Sequence, residues 1–417
     1  MKIVILTNGT RGDIQPMIYL GRGLLEQGHE VTVTASDNFA EMIQSAGLNH
    51  KTMPVNMQEY METEEGKLWM KKVTRNPFAL LTEIRKMIPR LALSTLDAYW
   101  EACKGTEFII TTTGALGDIY IKNRLHVPLV EVHLQPLEPT VEFAYPLVKL
   151  PIKNKVLNKF TYYYFEWFLG QMFKKSLNKW QKQTFGSVLR YRGGPFAERR
   201  RSCEMKLGAY STIVVPKPAD WPDEYHICGN FFPGADSEYI PEKDIEGFIL
   251  SGSAPVYIGF GSMAVSEPKR LQDIIIKIIE KTNVRIILSR GWSNLQIDDI
   301  PGRLMVIDNV SHSWLFPKTS GIIHHGGAGT TAAALKAGIP QMIFPKTADQ
   351  PFWAEKVYAL GISPKPEKLQ KITFRKFEQI ISFFQRESAK EKAQKIGEEI
   401  TLENGISRAV KLIGEYY

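Results

Sequence analysis

The chain has 417 residues, 44% hydrophobic and 23% charged, the balance of a soluble globular protein of two or three domains and not of a disordered one. No run approaches the ~18 to 20 apolar residues of a spanning helix, Met1 to Thr7 is too short for a secretory leader, and Cys103, Cys203 and Cys228 are too scattered for disulfides or a cysteine zinc site. The expectation is a cytoplasmic chain, and its net charge of +8 is uneven, since residues 149–201 hold 13 Lys/Arg against Glu166 and Glu198.

The elements begin with a βαβ unit. Lys2 to Thr7 is a β-branched strand broken by Gly9-Thr10-Arg11-Gly12. Pro16 opens a helix on which Met17, Leu20, Leu24 and Leu25 share a face until Gly28, and Val31 to Thr34 is the next strand. Residues 57–104 read as largely helical, interrupted at Pro77 and Pro89. A strand near Phe108 to Thr112, a helix from about Leu116 and a strand at Val127 to Val132 follow. Pro216, Pro218 and Pro222 mark a stiff connector. The alternation then restarts with strands at Val256 to Phe260, Val284 to Leu288, Met305 to Ile307, Gly321 to Ile323 and Gln341 to Phe344. Leu271, Ile274, Ile275, Ile278 and Ile279 form one helix face between the first two, and the end from Glu387 is helical. Such alternation predicts an α/β protein with two doubly wound parallel sheets and a ligand cleft at their carboxyl ends. The expected units are 1–215, a linker at 216–238, 239–386, and C-terminal helices at 387–417.

Within the basic segment the cations alternate with Phe160, Tyr162, Tyr163, Tyr164, Phe165, Trp167, Phe168, Phe173 and Trp180. Two readings stand there: a surface that meets an anionic membrane, or a helix pair that buries its rings and solvates its lysines. No nucleic-acid-binding motif accompanies the charge.

The strongest local signal runs from Ile322 to Thr331. An apolar strand ends in His324 and His325, Gly326 and Gly327 admit close backbone approach, and Gly329-Thr330-Thr331 opens a helix. Free N–H groups and the positive end of a helix dipole meet there, which suits a diphosphate. Gly259-Phe260-Gly261-Ser262-Met263 is a second strand-to-turn junction, with Ser262 placed for a phosphate. Asp349-Gln350 before a helix suits sugar hydroxyls, or an N-cap followed by Pro351. The loop Asn8 to Pro16 has Gly-x-x-Gly spacing, unlike the dinucleotide fingerprint, and Arg11 and Asp13 would stand where a pyrophosphate passes. The chain has no Asp-x-Asp, His-Glu-x-x-His or Walker loop.

These motifs, with Pro216 to Pro222 and Ser311-His312-Ser313-Trp314-Leu315-Phe316-Pro317, resemble glycosyltransferase family 1, and most of all its sterol 3-β-glucosyltransferase and glycopeptide-antibiotic glucosyltransferase branches. They occur in the family's order over almost the whole chain. The resemblance implies a GT-B fold with an N-terminal acceptor domain and a C-terminal nucleotide-sugar domain, and a final helix that crosses back. It implies inverting, metal-independent transfer of a hexose, glucose foremost, from a UDP-sugar co-substrate to a hydroxyl of a sterol, triterpenoid, flavonoid or lipid. No other cofactor is expected.

By the same resemblance Asp13 is the base, with Asp349 also catalytic. Ser262, His325, Gly329 and Thr330 hold the donor's diphosphate, and Gly12, Gly261, Gly327 and Thr331 also bind the donor. Val310 and His312 meet its base, and Asp349 and Gln350 hold its sugar. Gln135 and Phe143 line the acceptor site, built from 60–100 and 131–168, and His133, at the end of a strand facing the cleft, either lines it too or is a structural histidine. The plant small-molecule branch differs: it has a His in the Asp13 loop, a ribose-binding Glu where this chain has Ala333, and a base-stacking Trp where it has Asn309. The competing reading from a different class is a dinucleotide-binding oxidoreductase or a non-catalytic nucleotide binder.

Overall fold

A computed structural model describes residues 1–54, 63, 91–147, 154–233, 239–261, 267–291, 295–308 and 310–416. Ser262, Asn309, most of 57–90 and the first residues of the basic segment lie outside that set.

The first domain holds β1 (Lys2–Leu6), α1 (Arg11–Glu26), β2 (Glu30–Ala35), α2 (Ala40–Ser45) and β3 (Asn49–Thr52). A helix over 91–103 (α3) leads to β4 (Phe108–Thr112), α4 (Asp118–Leu125), β5 (Leu129–His133), α5 (Lys155–Phe185), α6 (Pro195–Ser202), β6 (Met205–Gly208) and β7 (Tyr225–Ile227). The strands form one parallel sheet in the order β3-β2-β1-β4-β5-β6-β7. Ile3 to Leu6 of β1 and Phe108 to Ile110 of β4 are buried on both faces because helices cover both, as an all-parallel sheet requires.

The second domain holds α7 (Lys243–Leu250), β8 (Val256–Gly259), α8 (Pro268–Lys281), β9 (Ile286–Ser289), β10 (Leu304–Ile307), α9 (His312–Leu315), β11 (Gly321–His324), α10 (Ala328–Lys336), β12 (Gln341–Ile343), α11 (Gln350–Ala359) and α12 (Phe374–Phe384). Its parallel sheet runs β10-β9-β8-β11-β12. Leu271, Ile275, Ile278 and Ile279 of α8 face the core as their spacing predicts. Strand order reverses beside β1 in one sheet and β8 in the other, and loops at such switch points form ligand crevices.

Two boundaries differ from the sequence expectation. Strand β7 lies inside the stretch read as a linker, and Trp221 and Tyr225 of that stretch are buried. The chain therefore leaves the first domain only after completing its sheet. At the other end α13 (Glu387–Leu402) packs on α10 of the second domain, and only α14 (Gly405–Tyr416) lies against α1 of the first. The crossing is fastened by Glu403, whose Oε1 accepts from Ser211 Oγ (3.0 Å), Thr212 N (2.9 Å) and Thr212 Oγ1 (2.8 Å). Gly23 makes room for α14, since a Cβ there would lie 2.8 Å from Ile406 Cγ2. An apolar cluster including Tyr210, Val215, Trp221 and Tyr225 from one domain and Leu335, Trp353 and Val357 from the other joins them below the cleft. Among the described residues no helix is long and apolar enough to cross a membrane.

Candidate active site

Loops at strand ends of both sheets meet in the cleft. The first joins β1 to α1. Gly9 has φ +136°, and a Cβ on it would come 2.5 Å from Asp13 Oδ2, so only glycine lets the carboxylate fold back over the loop. That oxygen accepts from Thr10 N (2.8 Å) and Thr10 Oγ1 (2.9 Å), closing a capping box at the start of α1. The helix-cap role and an oriented carboxylate are thus the same geometry. Oδ2 is anchored, while Oδ1 has no hydrogen bond among the described residues. Burial pushes the Asp13 pKa up, and its two bonds to Thr10 offset this only in part. Gly12 sits exposed in the first turn beside it.

The loop after β12 supplies the facing carboxylate. Ala348 has φ +53°, a conformation costly for a residue with a Cβ, and it turns the chain into α11 at Asp349. Asp349 occupies the N-cap position yet makes no side-chain cap bond. Its Oδ2 instead accepts from Trp353 Nε1 (2.8 Å), one turn along α11, and from Gln135 Nε2 (3.2 Å) across the cleft. Burial raises the Asp349 pKa, the bonds to Trp353 and Gln135 lower it, and the charge of Asp13 raises it further. The two carboxylates are therefore close enough to feel each other. Gln350 ties the loop, its Oε1 accepting from Lys346 N (2.8 Å) and Thr347 N (3.1 Å).

The histidine pair after β11 divides its labour. His324 is fully buried, with Nε2 2.7 Å from Gln341 Oε1 and Nδ1 accepting from Gly326 N (3.1 Å), so both nitrogens serve the turn. His325 is half-buried, its ring held between Gly261 and Gly327. A Cβ at those positions would lie 3.1 Å from His325 Cε1 and 2.6 Å from His325 Nε2. His325 Nδ1 is buried with no hydrogen-bond partner among the described residues. Burial holds the pKa of His325 down at about 4 and that of His324 at about 3, so both rings are neutral at neutral pH.

Gly327 caps α10 without a side-chain bond, leaving the first-turn N–H groups open. Thr331 turns its hydroxyl back to Gly327 O (2.9 Å), so its proton serves the helix. The Thr330 hydroxyl has no partner among the described residues, and Gly329 is exposed with open space around its Cα. His312 opens α9, stacks on Phe316 with centroids 4.3 Å apart, and sits 3.4 Å from Tyr257 OH. Its pKa is lowered to about 4, by burial first, then by Arg11 from the opposite domain and by His325. Val310 packs partly buried beside it.

The three acceptor candidates separate. His133 is buried, with Nδ1 3.1 Å from Tyr225 OH and Nε2 3.1 Å from Glu131 Oε1, so it belongs to the foundation of the cleft and not to its wall. Gln135 reaches Asp349, as described. Phe143 bridges the domains, 5.2 Å from the Phe352 ring with Lys356 Nζ 4.9 Å from its own centroid. Phe352 and Trp353 lie in no motif of the sequence, although the four-residue spacing from Asp349 to Trp353 is that of neighbours on one helix face.

Two parallel α/β domains with loops converging from both sheets define the GT-B glycosyltransferase architecture. Solved structures agree: a glycotransferase of kitacinnamycin superposes with a TM-score of 0.71 at 15% identity, over 99% of this chain and 98% of that one. The glycosyltransferase VinC in complex with DTDP gives 0.65 at 17% identity, over 100% and 98%. The glycosyltransferase family 28 N-terminal domain model matches residues 3–135. The erythromycin biosynthesis protein CIII-like C-terminal domain model matches 275–406. A sterol 3-beta-glucosyltransferase of Arabidopsis thaliana is 30% identical over 98% of this chain and 67% of its own length. The chain belongs to the glycosyltransferase family that includes the sterol 3-beta-glucosyltransferases, consistent with the family 1 motifs. It spans about two thirds of that plant protein and about a quarter to a third of the fungal ones it also matches.

Proposed function

We propose that the protein transfers a hexose, glucose foremost, from a UDP-sugar to a hydroxyl of a hydrophobic acceptor, sterols first among them, with inversion and without a metal. The observation that carries this reading is the Gln135–Asp349 hydrogen bond across the cleft, with the charge of Asp13 acting on Asp349, opposite the open N-terminus of α10. Asp13 takes the proton from the acceptor hydroxyl as that oxygen bonds to the anomeric carbon. The bond from that carbon to the diphosphate oxygen breaks on the opposite side, and the nucleoside diphosphate leaves with the electron pair. A partly buried, oriented carboxylate with a raised pKa is a better base than a solvated one.

The leaving charge is met by the N–H groups of the first turn of α10, the Thr330 hydroxyl and His325 Nδ1. Asp349 accepts from sugar hydroxyls in place of Gln135. The relatives named as sterol 3-beta-glucosyltransferases support the acceptor class, and the neighbour with bound DTDP supports a nucleotide donor of this chemistry. Thermal shifts with UDP-glucose, TDP-glucose and NADH rank the ligands, because only one that prefers the folded state stabilises it. An acceptor screen with the best donor, read by mass spectrometry, then tests transfer. Stabilisation by NADH alone, or no glycosylated sterol or other hydrophobic alcohol, refutes the reading.

A further inference from the structure

The first half of α5 carries apolar side chains on both its sides: Tyr162 and Phe165 pack inward against Tyr145, and a second apolar set is turned outward. Up to Gly170 the side chains turned inward include Asn158 and Thr161, whose polar groups bond to Val141 O (3.0 Å) and, in the case of Thr161, to Asn158 O (2.6 Å) and Tyr145 N (2.8 Å). Those turned outward are Val156, Leu157, Phe160, Tyr163, Tyr164 and Trp167, which are 74, 50, 58, 41, 46 and 52% exposed. They recur at three- and four-residue intervals and so share one face. After Gly170 the ordinary arrangement returns. Leu177 and Trp180 are buried, and Lys174, Lys175, Lys179 and Lys182 continue the exposed face. A contiguous apolar face of this kind on a folded domain marks an interaction surface.

The chemistry around the face selects its occupant. Tyr163 and Trp167 border an open depression of about 560 Å³ whose far side carries Arg192, Arg200 and Arg201. Glu166 and Glu198 pair with Arg200 (2.8 Å) and Arg201 (2.7 Å), which leaves Arg192 and the lysine row in surplus. Arg200 also lies 5.1 Å from the Tyr163 centroid. Rings with one apolar and one polar end, beside cations, match the boundary between lipid headgroups and acyl chains. We propose that this face docks on an anionic lipid bilayer, with Phe160, Tyr164 and Trp167 entering the boundary and the arginines and lysines meeting lipid phosphates. Such docking would put the first domain, which carries the cleft's acceptor wall, against the phase in which a hydrophobic alcohol dissolves.

Co-sedimentation of the full chain with phosphatidylcholine vesicles, with and without phosphatidylglycerol, tests this directly. The expected result is binding that needs the anionic lipid and falls as salt rises, because charge attraction is screened within a Debye length. Phe160→Glu with Trp167→Glu should abolish it, and Lys174→Glu, Lys175→Glu and Lys179→Glu together should weaken it roughly ten-fold or more. All these positions are exposed, so the melting temperature and nucleotide binding should stay at the parent's values. Absence of binding by the parent, equal binding to neutral vesicles, or binding indifferent to Phe160 and Trp167 would each overturn the proposal. So would a parent dimer that the Phe160 and Trp167 substitutions disperse, since the face would then serve a second copy.

Discussion

On the N-terminal side of the cleft the strand ends rest on buried charge; on the C-terminal side they rest on neutral rings and bare backbone. Below β4, β5 and β6, Arg199 pairs with Asp118 (2.9 Å) and Glu131 (3.0 Å), and Lys206 with Glu138 (2.7 Å). Burial pushes Glu131 up, but Arg199, His133 and Lys206 together outweigh it and hold the carboxyl well below the usual range. Across the cleft His312, His324 and His325 stay uncharged. The contrast separates two tasks. The charged side is satisfied within itself and acts as a rigid base for loops that carry Asp13 and Gln135. The neutral side offers open first-turn N–H groups and uncharged rings at α10, with Asp349 as its carboxylate at the cleft.

The largest effect expected from breaking this contrast is on stability. Arg199→Met should cost about 3 to 5 kcal/mol, since Asp118 and Glu131 lose their shared cation in a buried site. The same loss should follow in the absence of any ligand, measured by denaturant unfolding. A variant as stable as the parent would mean that the network carries no structural load.

Next comes Asp13→Asn, expected to lower turnover by ~10²-fold or more, the scale of losing a general base. An asparagine oxygen can still accept from Thr10, so the cap and the melting temperature should survive. The sign of the pH effect is fixed by the raised pKa. Only the ionised carboxylate accepts a proton, so parent kcat/KM should climb as pH rises through an Asp13 pKa above the ordinary value, and the variant should lose that limb. Turnover within a few-fold of the parent removes Asp13 from the chemistry.

How much of this contrast the sequence carried differs between the two sides. The C-terminal wall was legible because its signals are local: an apolar strand, two histidines, glycines and a helix start, all between Ile322 and Thr331. The N-terminal foundation was not, because its partners are distant in sequence. His133 reads as a cleft histidine until Tyr225, 92 residues on, takes its Nδ1. Strand β6 carries Lys206 at a buried position, which only Glu138 from another loop explains. Strand β3, Asn49-His50-Lys51-Thr52, is an exposed edge without apolar alternation, so periodicity had nothing to report. The hydroxyl of Thr331 faced the same limit in small: side-chain type marks a donor, but its rotamer decides where the proton goes.

A smaller effect, roughly ten-fold, should distinguish the two sides of the donor. Thr330→Ala should weaken UDP itself, because that hydroxyl stands at the helix start proposed to receive the diphosphate. Asp349→Ala should weaken the UDP-sugar more than UDP, because its carboxylate bonds across the cleft to Gln135 and is proposed to meet the sugar hydroxyls. Calorimetric titration of both ligands against both variants separates the roles. Equal losses for UDP and UDP-sugar in Asp349→Ala would contradict the assignment to the sugar.

The smallest expected effect is none: turnover should persist in EDTA. A diphosphate leaving group needs its charge met, and the neutral wall offers two ways of meeting it, either a captured divalent cation or fixed dipoles. A cation would need clustered carboxylates or imidazoles beside the first turn of α10. The chain has no Asp-x-Asp, and among the described residues no group of three His, Cys, Asp or Glu is placed to hold an ion. His324 has both nitrogens committed to Gln341 and Gly326, and Asp349 spends Oδ2 on Trp353 and Gln135. What remains is the open first turn of α10, Thr330 and His325, which are dipoles and hydrogen-bond donors that work without a metal. If chelation abolished turnover and magnesium or manganese restored it, the two walls would not be complementary in the way argued, and the neutral side would have to be read as half of a metal site.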